Sequence, residues 1–411
     1  MSLSTTGRRD AAAEAHPPRT GVFPFSRAVF VSLLAMLAIY DLAYVVMWLS
    51  RSPEPPFDDF FGLWTFGRFA ATAGPGVYDP VALAAFQRSL DSAFTHVYPC
   101  PYPPSFLLAL MPLGKLPLAP AYVCWIAGGL GLYLAAALGR GWRSLAGAAL
   151  LLAPTTLLTV VAGQNGFLTA ALLIGGLRGL KQRPILSGIL FGLLTYKFQF
   201  GLLVPIVLLA TRAWRPIVVA CLTVACTTLL STMTLGPSIW LAWLHSAASY
   251  GDLLQANQAR LSHAMPTFVV SFGQIGAPAW VAFAVQALIV VALAAAMWRA
   301  AASSWDDRTV AMAILATLIA TPYAFTYDMP VLAGALVIEA GRRQRLCLAV
   351  SLGDIAMVGL TFAVIVAMSK YALPFAAPAL LVWMFCRVAG FGDVRAATSP
   401  PSPQPRTLLA A

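Results

Sequence analysis

Residues 185–215 read ILSGILFGLLTYKFQFGLLVPIVLLATRAWR. The stretch is apolar almost throughout, with Arg178, Lys181 and Arg183 before it, Arg212 and Arg215 at its close, and a single cation, Lys197, at its middle. Basic residues that flank membrane spans stay on the cytoplasmic side. A segment with basic clusters at both ends therefore starts and finishes inside. It reads as two short helices, 185–197 and 200–211, whose junction Lys197-Phe198-Gln199 approaches the outer face.

The rest of the chain supports a membrane setting. Of 411 residues 60% are hydrophobic and 10% charged, against about 25% charged in a typical soluble domain, and the mean hydropathy is +0.79. Apolar runs recur near 28–49, 119–138, 145–161, 166–178, 185–197, 200–211, 216–235, 279–298, 309–323, 328–340, 346–368 and 372–387. Several are shorter than the roughly 20 residues of a full crossing, which implies broken helices. The expected fold is an all-α integral membrane bundle of 10–12 segments, a single domain over 28–390 between disordered cytoplasmic ends at 1–27 and 391–411. Placing the N-terminus inside puts 19 of the 26 Lys and Arg residues on the cytoplasmic side and 7 elsewhere. That sidedness accounts for the net charge of +11. The basic residues sit in short clusters between apolar runs, so no nucleic-acid partner is implied. Six cysteines without CxxC spacing read as buried hydrophobes, with neither disulfide nor metal implied.

Two outer segments are long, 50–118 and 236–277, and such loops in a membrane domain are usually functional. In the first, Phe57 to Ala73 places Phe57, Phe60, Phe61 and Trp64 at near-helical spacing and reads as a helix lying on the membrane surface. A second helix is expected over Val81 to Phe94, with Gly74-Pro75-Gly76 turning between them.

With this topology the polar residues that interrupt apolar runs fall on one side. They are Asp58-Asp59, Tyr102-Pro103-Pro104, Gly163-Gln164-Asn165-Gly166, Lys197-Phe198-Gln199, His263, and Thr321-Pro322-Tyr323 with Tyr327-Asp328. Polar groups at a lipid boundary are costly unless they line a cavity or meet one another, so the coincidence points to one wet cleft. Each residue type suits an anionic lipid substrate. Lys197 offers a compact ammonium to a phosphate, or snorkels to the interface. Gln164 and Asn165 offer hydrogen bonds to sugar hydroxyls, with flanking glycines for close approach of backbone to ligand, or form a plain turn. Asp58 and Asp59 offer a carboxylate base, or cap the helix they open. Asp41 and Asp354 lie inside predicted spans and read as pairing or hydrogen-bonding within the bundle rather than as a proton pathway.

These motifs in this order resemble glycosyltransferase family 87. Asp59-Phe60 ahead of Trp64, Gly74 and Val77-Tyr78-Asp79-Pro80 resembles the family's opening signature. Tyr102-Pro103-Pro104 with Met111-Pro112-Leu113, Ala162 to Gly166, Gly188 to Gln199, and Ala320 to Tyr323 with Tyr327-Asp328 follow over residues 57–330. The resemblance implies a GT-C enzyme that moves a hexose, usually mannose, from a polyprenyl-phosphate donor to a lipid or glycan acceptor at the extracytoplasmic face of a bacterial inner membrane. It implies Asp59 as catalytic base with Asp58 next to it, Lys197, Gln199, His263 and Arg260 at the donor phosphate, and Gln164, Asn165, Tyr102, Tyr323, Tyr327 and Asp328 at sugar and acceptor. No cofactor is expected. A lipid-phosphate leaving group does not oblige a metal, and adjacent Asp58 and Asp59 diverge by about 100° on a helix. The family usually has Lys-Pro-Gln where this chain has Lys197-Phe198-Gln199, so a milder helix break is expected here. Broken helices with polar midpoints also build secondary transporters, and an envelope polysaccharide ligase or flippase would share the topology. The one-sided motifs and long outer loops favour the enzyme.

Overall fold

A computed structural model describes residues 58–90, 98–139, 145–256, 265–345 and 374–390, with parts of 32–50. The expected N-terminal tail, the span 346–368, the C-terminal tail and the residues Arg260, His263 and Asp354 lie outside the described residues.

The described chain is helical and holds no strand. The segment 50–118 supplies α1 (Asp58–Ala73), a 3₁₀ turn (Gly74–Tyr78), α2 (Pro80–Leu90) and α3 (Pro104–Gly114). There follow α4 (Leu118–Leu138), α5 (Leu145–Leu151), α6 (Pro154–Ala162), α7 (Gly166–Gly179) and α8 (Pro184–Leu194), which runs on as a 3₁₀ segment (Thr195–Gly201). The second half holds α9 (Val204–Ala210), α10 (Trp214–Leu235), α11 (Ile239–Ala256), α12 (Phe268–Gln274), α13 (Ala279–Ser303), α14 (Asp307–Ala320), α15 (Pro330–Arg345) and α16 (Ala376–Ala389). Proline opens α2, α3, α6, α8 and α15, where its fixed φ is pre-set for a helix and its missing N–H costs nothing.

Among the described residues three helices, α4, α10 and α13, are long and apolar enough to cross a membrane, or four spans if the bent pair at Lys197 counts as one. Their surfaces explain why water is the wrong solvent. Along α10, Val218, Leu222, Leu229, Leu230 and Met233 all turn outward, Met233 at 76% exposure. Such a stripe is stable facing hydrocarbon and a liability in water. On α13, Trp280 and Trp298 are both exposed; their 18-residue separation is about 27 Å along a helix, close to the thickness of a bilayer core between its two aromatic belts.

The broken segment takes the form the flanking charges require. Pro184–Gly201 and Val204–Ala210 are bent by 115°, and Lys197 at the bend has φ −129° and ψ 61°, outside helical values. The bend is sharp although Phe198 stands in place of proline, so the expectation of a milder break is corrected. Flanking anchors replace the proline. Tyr196 and Phe200 are buried on either side, Phe198 turns outward at 70% exposure, and the Thr321 hydroxyl donates to the Gln199 carbonyl at 3.1 Å. Along α8, Gly188 and Gly192 allow α10 to approach closely: a Cβ on Gly188 would stand 2.7 Å from the Pro216 carbonyl, the small-residue packing common between membrane helices.

Helix α1 is packed more deeply in protein than its spacing suggested. It forms where the sequence places it, but Phe60, Phe61, Leu63, Trp64 and Phe66 are buried against protein rather than laid on lipid. Residues 60–67 are buried all round, Thr65 included, while Arg68, Ala71 and Thr72 in its last turns are exposed. Helix α3 crosses it at backbone contact. A Cβ on Gly67 would meet the Leu110 carbonyl, Arg68 Nη1 donates to the Gly114 carbonyl at 3.1 Å, and Trp64 Nε1 donates to the Leu116 carbonyl at 3.0 Å. The amphipathic element is α2, which buries Leu83, Ala84 and Gln87 and exposes Val81, Arg88 and Ser89. The expected span 145–161 is divided at Pro154 into α5 and α6. Asp41 Oδ1 has no hydrogen-bond partner among the described residues.

Candidate active site

Four chain segments that are far apart in sequence meet around Lys197. Its side chain is 7% exposed and pairs with Asp328, itself 1% exposed, at 2.5 Å. A second N–H of Lys197 goes to Asn165 Oδ1 at 2.7 Å, and the ammonium lies 5.1 Å from the centre of the Tyr327 ring and 5.6 Å from that of Phe200. A cation taken this far from water needs such compensation. Asn165 in turn donates from Nδ2 to the Tyr102 hydroxyl at 2.8 Å, and Tyr102 donates to Gln164 Oε1 at 3.5 Å.

Local structure holds each partner in place. Asn165 precedes α7, and its carbonyl accepts from the Thr169 hydroxyl at 3.1 Å, to which the Tyr196 hydroxyl donates in turn at 2.6 Å. Asp328 ends a 3₁₀ turn, and its Oδ2 accepts from the Phe325 N–H at 3.2 Å. That turn is tied to α6 by the Thr159 hydroxyl on the Tyr327 carbonyl at 3.0 Å and to α4 by the Tyr133 hydroxyl on the Pro330 carbonyl at 2.7 Å. Tyr102 stands on the loop before α3, where the Tyr78 hydroxyl donates to its carbonyl at 2.7 Å. Burial pushes the Tyr78 phenol up, and with it the neighbouring Cys100 thiol to about 12, so both are protonated at neutral pH and Tyr78 is available as a donor.

The two glycines of the Gly163-Gln164-Asn165-Gly166 motif have a different use from the one expected. They admit protein rather than ligand. Gly163 is left-handed, with φ +70°, and its Cβ would stand 2.5 Å from Phe60 Cβ. A Cβ on Gly166 would stand 1.7 Å from the Tyr327 carbonyl oxygen. The motif is thus wedged between the start of α1 and the Tyr327-Asp328 turn, and Phe60 carries Asp59 to its edge.

Of the residues singled out from sequence, Tyr102, Gln164, Asn165, Lys197, Tyr327 and Asp328 come together in this network. Lys197 and Asp328, expected at different parts of the substrate, are each other's partner. Asp59 is half-buried on the first turn of α1, one residue from the Phe60 contact with Gly163. Asp58 opens the same helix. Gln199 joins through its carbonyl, while Tyr323 packs edge-on against Phe283, ring centres 6.4 Å apart. His263 and Arg260 lie outside the described residues. Several contributors were missed in the sequence. Tyr196 and Thr169 share a 2.6 Å hydrogen bond beneath Asn165, and Gln286 donates to the Ile319 and Ala320 carbonyls at 3.1 and 2.7 Å, capping α14 just before the Thr321 to Asp328 loop. Gln286 did carry a signal, being an amide inside a 25-residue apolar helix.

Next to this network, a cavity of about 240 Å³ opens between α3, α4 and α7. Its walls are apolar, among them Pro112, Leu113, Trp125, Leu132 and Leu168, and its polar lining is Gln164 and Asn165. Gly128 keeps it open, since a Cβ there would meet nothing within 4 Å.

The fold and this site define a polytopic helical membrane protein with a buried polar centre beside an apolar groove. The sequence model of glycosyltransferase family 87 matches residues 101–322, more than half of the chain, and the protein belongs to that family. It is therefore a membrane glycosyltransferase. Comparison with curated proteins and with solved structures gave no match.

Proposed function

We propose that the protein transfers a hexose, mannose by family resemblance, from a polyprenyl-phosphate donor to a lipid or glycan acceptor at the extracytoplasmic face of a bacterial inner membrane. One observation carries the reading: the apolar groove ends on Gln164 and Asn165, and Asn165 is bonded directly to Lys197. A lipid-linked anion has the same two parts, a hydrocarbon chain and a charged head, in the same order.

In this reading the isoprenoid chain lies between α3, α4 and α7, with the phosphate at the polar end. Asp59 accepts the proton of an acceptor hydroxyl. The oxygen attacks the anomeric carbon, the bond from that carbon to the phosphate oxygen breaks with its electron pair, and polyprenyl phosphate leaves with one more negative charge than the donor carried. The sugar is inverted. The Lys197 centre supplies positive potential where that charge develops, with His263 and Arg260 as further donors from the outer loop. No cofactor is invoked.

Membranes containing the protein, incubated with a labelled polyprenyl-phosphate hexose and then extracted, test the reading. Label is expected to move to a new lipid or glycan product. Translocation of the donor in proteoliposomes with no product formed would overturn it in favour of a transporter or flippase.

A further inference from the structure

Lys197 is not at the surface of the groove. It reaches the groove wall only through other side chains, and the identity of the donor at one end dictates the direction of every bond between. An ammonium can only donate, so Asn165 must present Oδ1 to it and Nδ2 to Tyr102. The Tyr102 hydroxyl, having accepted from Asn165, turns its one proton to Gln164 Oε1. Gln164 must then present its Nε2 donors elsewhere. It lines the cavity, and its Nε2 makes no hydrogen bond among the described residues.

We propose that the Lys197–Asn165–Tyr102–Gln164 chain is a one-way relay, in which the Gln164 amide N–H is the group that binds the anionic head of the lipid and Lys197 acts on it at second hand. This rests on the donor-in-groove reading above and changes the role of its parts. Gln164 is the contact to phosphate. Tyr102, Asn165 and Lys197 are positioning residues.

Two features favour the relay over direct contact. Lys197 already shares its charge with Asp328, so the pair is neutral as a whole and offers an incoming anion little net attraction; what it does offer is a fixed positive end facing Asn165. Hydrogen bonds that all point one way polarise one another in a low-dielectric interior, and the terminal amide becomes a stronger donor than an isolated glutamine. The 3.5 Å step from Tyr102 to Gln164 is the loosest in the chain. It is the step that shortens when an anion draws on Nε2, since donors in unliganded sites tighten on binding.

Cys124 lines the groove and is exposed, as Cys221 and Cys226 are elsewhere, so its labelling is read by peptide mapping. The full-length protein in nanodiscs is labelled with N-ethylmaleimide while undecaprenyl phosphate, undecaprenol or inorganic phosphate is titrated in. Both lipids are expected to protect Cys124, the phosphate at roughly tenfold lower concentration than the alcohol, and inorganic phosphate not at all. Tyr102→Phe keeps the ring that packs against Phe106 and Tyr196 but breaks the relay, and is expected to reduce the phosphate-over-alcohol preference about threefold. Gln164→Glu, equal in size but unable to donate, abolishes or inverts it. Tyr102→Phe and Gln164→Glu both retaining the wild-type preference would overturn the relay while leaving the groove in place. Protection by neither lipid in the wild type would instead overturn the donor-in-groove reading, and with it the relay.

Discussion

The protein has two ion-pair centres among its described residues, and they do different work. Lys197 and Asp328 are 131 positions apart, 7% and 1% exposed, and join a broken helix to a distant 3₁₀ turn. Glu339 and Arg342 are three positions apart on α15, with Arg342 at 19% exposure, and a fork of two bonds at 2.6 and 2.7 Å holds them. The second pair is the tighter fork, and both its members stand on one helix. The first pair brings Gln164, Asn165 and Tyr102 into one network. What matters for the site is how much chain a buried pair ties together, since an ion pair as such contributes little net stability.

Breaking the long-range pair is expected to have the largest effect. Lys197→Ala or Asp328→Ala leaves a buried charge without its partner, a change that costs about 3–5 kcal/mol. Thermal unfolding in detergent is expected to show that loss, and sugar transfer is expected to fall by about two orders of magnitude or more. The double variant Lys197→Ala/Asp328→Ala removes both charges and should recover part of the stability with none of the activity. Single variants as stable as the wild type would show that the pair is not the tie described.

Gly166→Ala comes next. The added methyl would collide with the Tyr327 carbonyl and push the Asp328 turn from Lys197 without touching either charge, at a cost of about 1–3 kcal/mol for overpacking. Activity falling with stability, as in the charge variants but less, sharpens the point that position rather than charge alone is at stake.

Gly128→Leu separates the groove from the network. It fills open space and improves helix propensity by up to about 1 kcal/mol, so melting is expected to be unchanged or raised, while the KM for lipid donor rises about tenfold. The smallest effect is expected from Glu339→Gln. With Arg342 able to reach water, the loss should be at most about 1 kcal/mol, and transfer rates should match the wild type.

The overall architecture was legible in sequence because charge and hydropathy act locally. The basic clusters around 185–215 called for a chain that turns back at Lys197, and it does. Proline was not needed for the turn, because Tyr196, Phe200 and Thr321 hold it; those contacts are tertiary and invisible to a local reading. Helix α1 forms where the sequence places it, and its burial against protein was not read. Its five clustered large apolar residues already carried the sign of burial, and the spacing of three and four masked it. The expectation of a shared polar cleft anticipated that Tyr102, Gln164, Asn165, Lys197 and Asp328 meet. Which of them pair could not be read, because no periodicity links Lys197 to a carboxylate 131 positions away. The use of Gly166 was hidden in the same way, since the Tyr327 carbonyl it accommodates is equally remote along the chain.

The most direct test of the account is turnover of a labelled polyprenyl-phosphate hexose by membranes carrying Asp59→Asn, set beside Asp58→Asn and the wild type. Proton removal by a carboxylate contributes about 10²–10⁴-fold to a transfer of this kind. Asp59→Asn is expected to lose that factor while Asp58→Asn keeps most of the activity. Wild-type turnover in Asp59→Asn together with its loss in Asp58→Asn would contradict the assignment of the base.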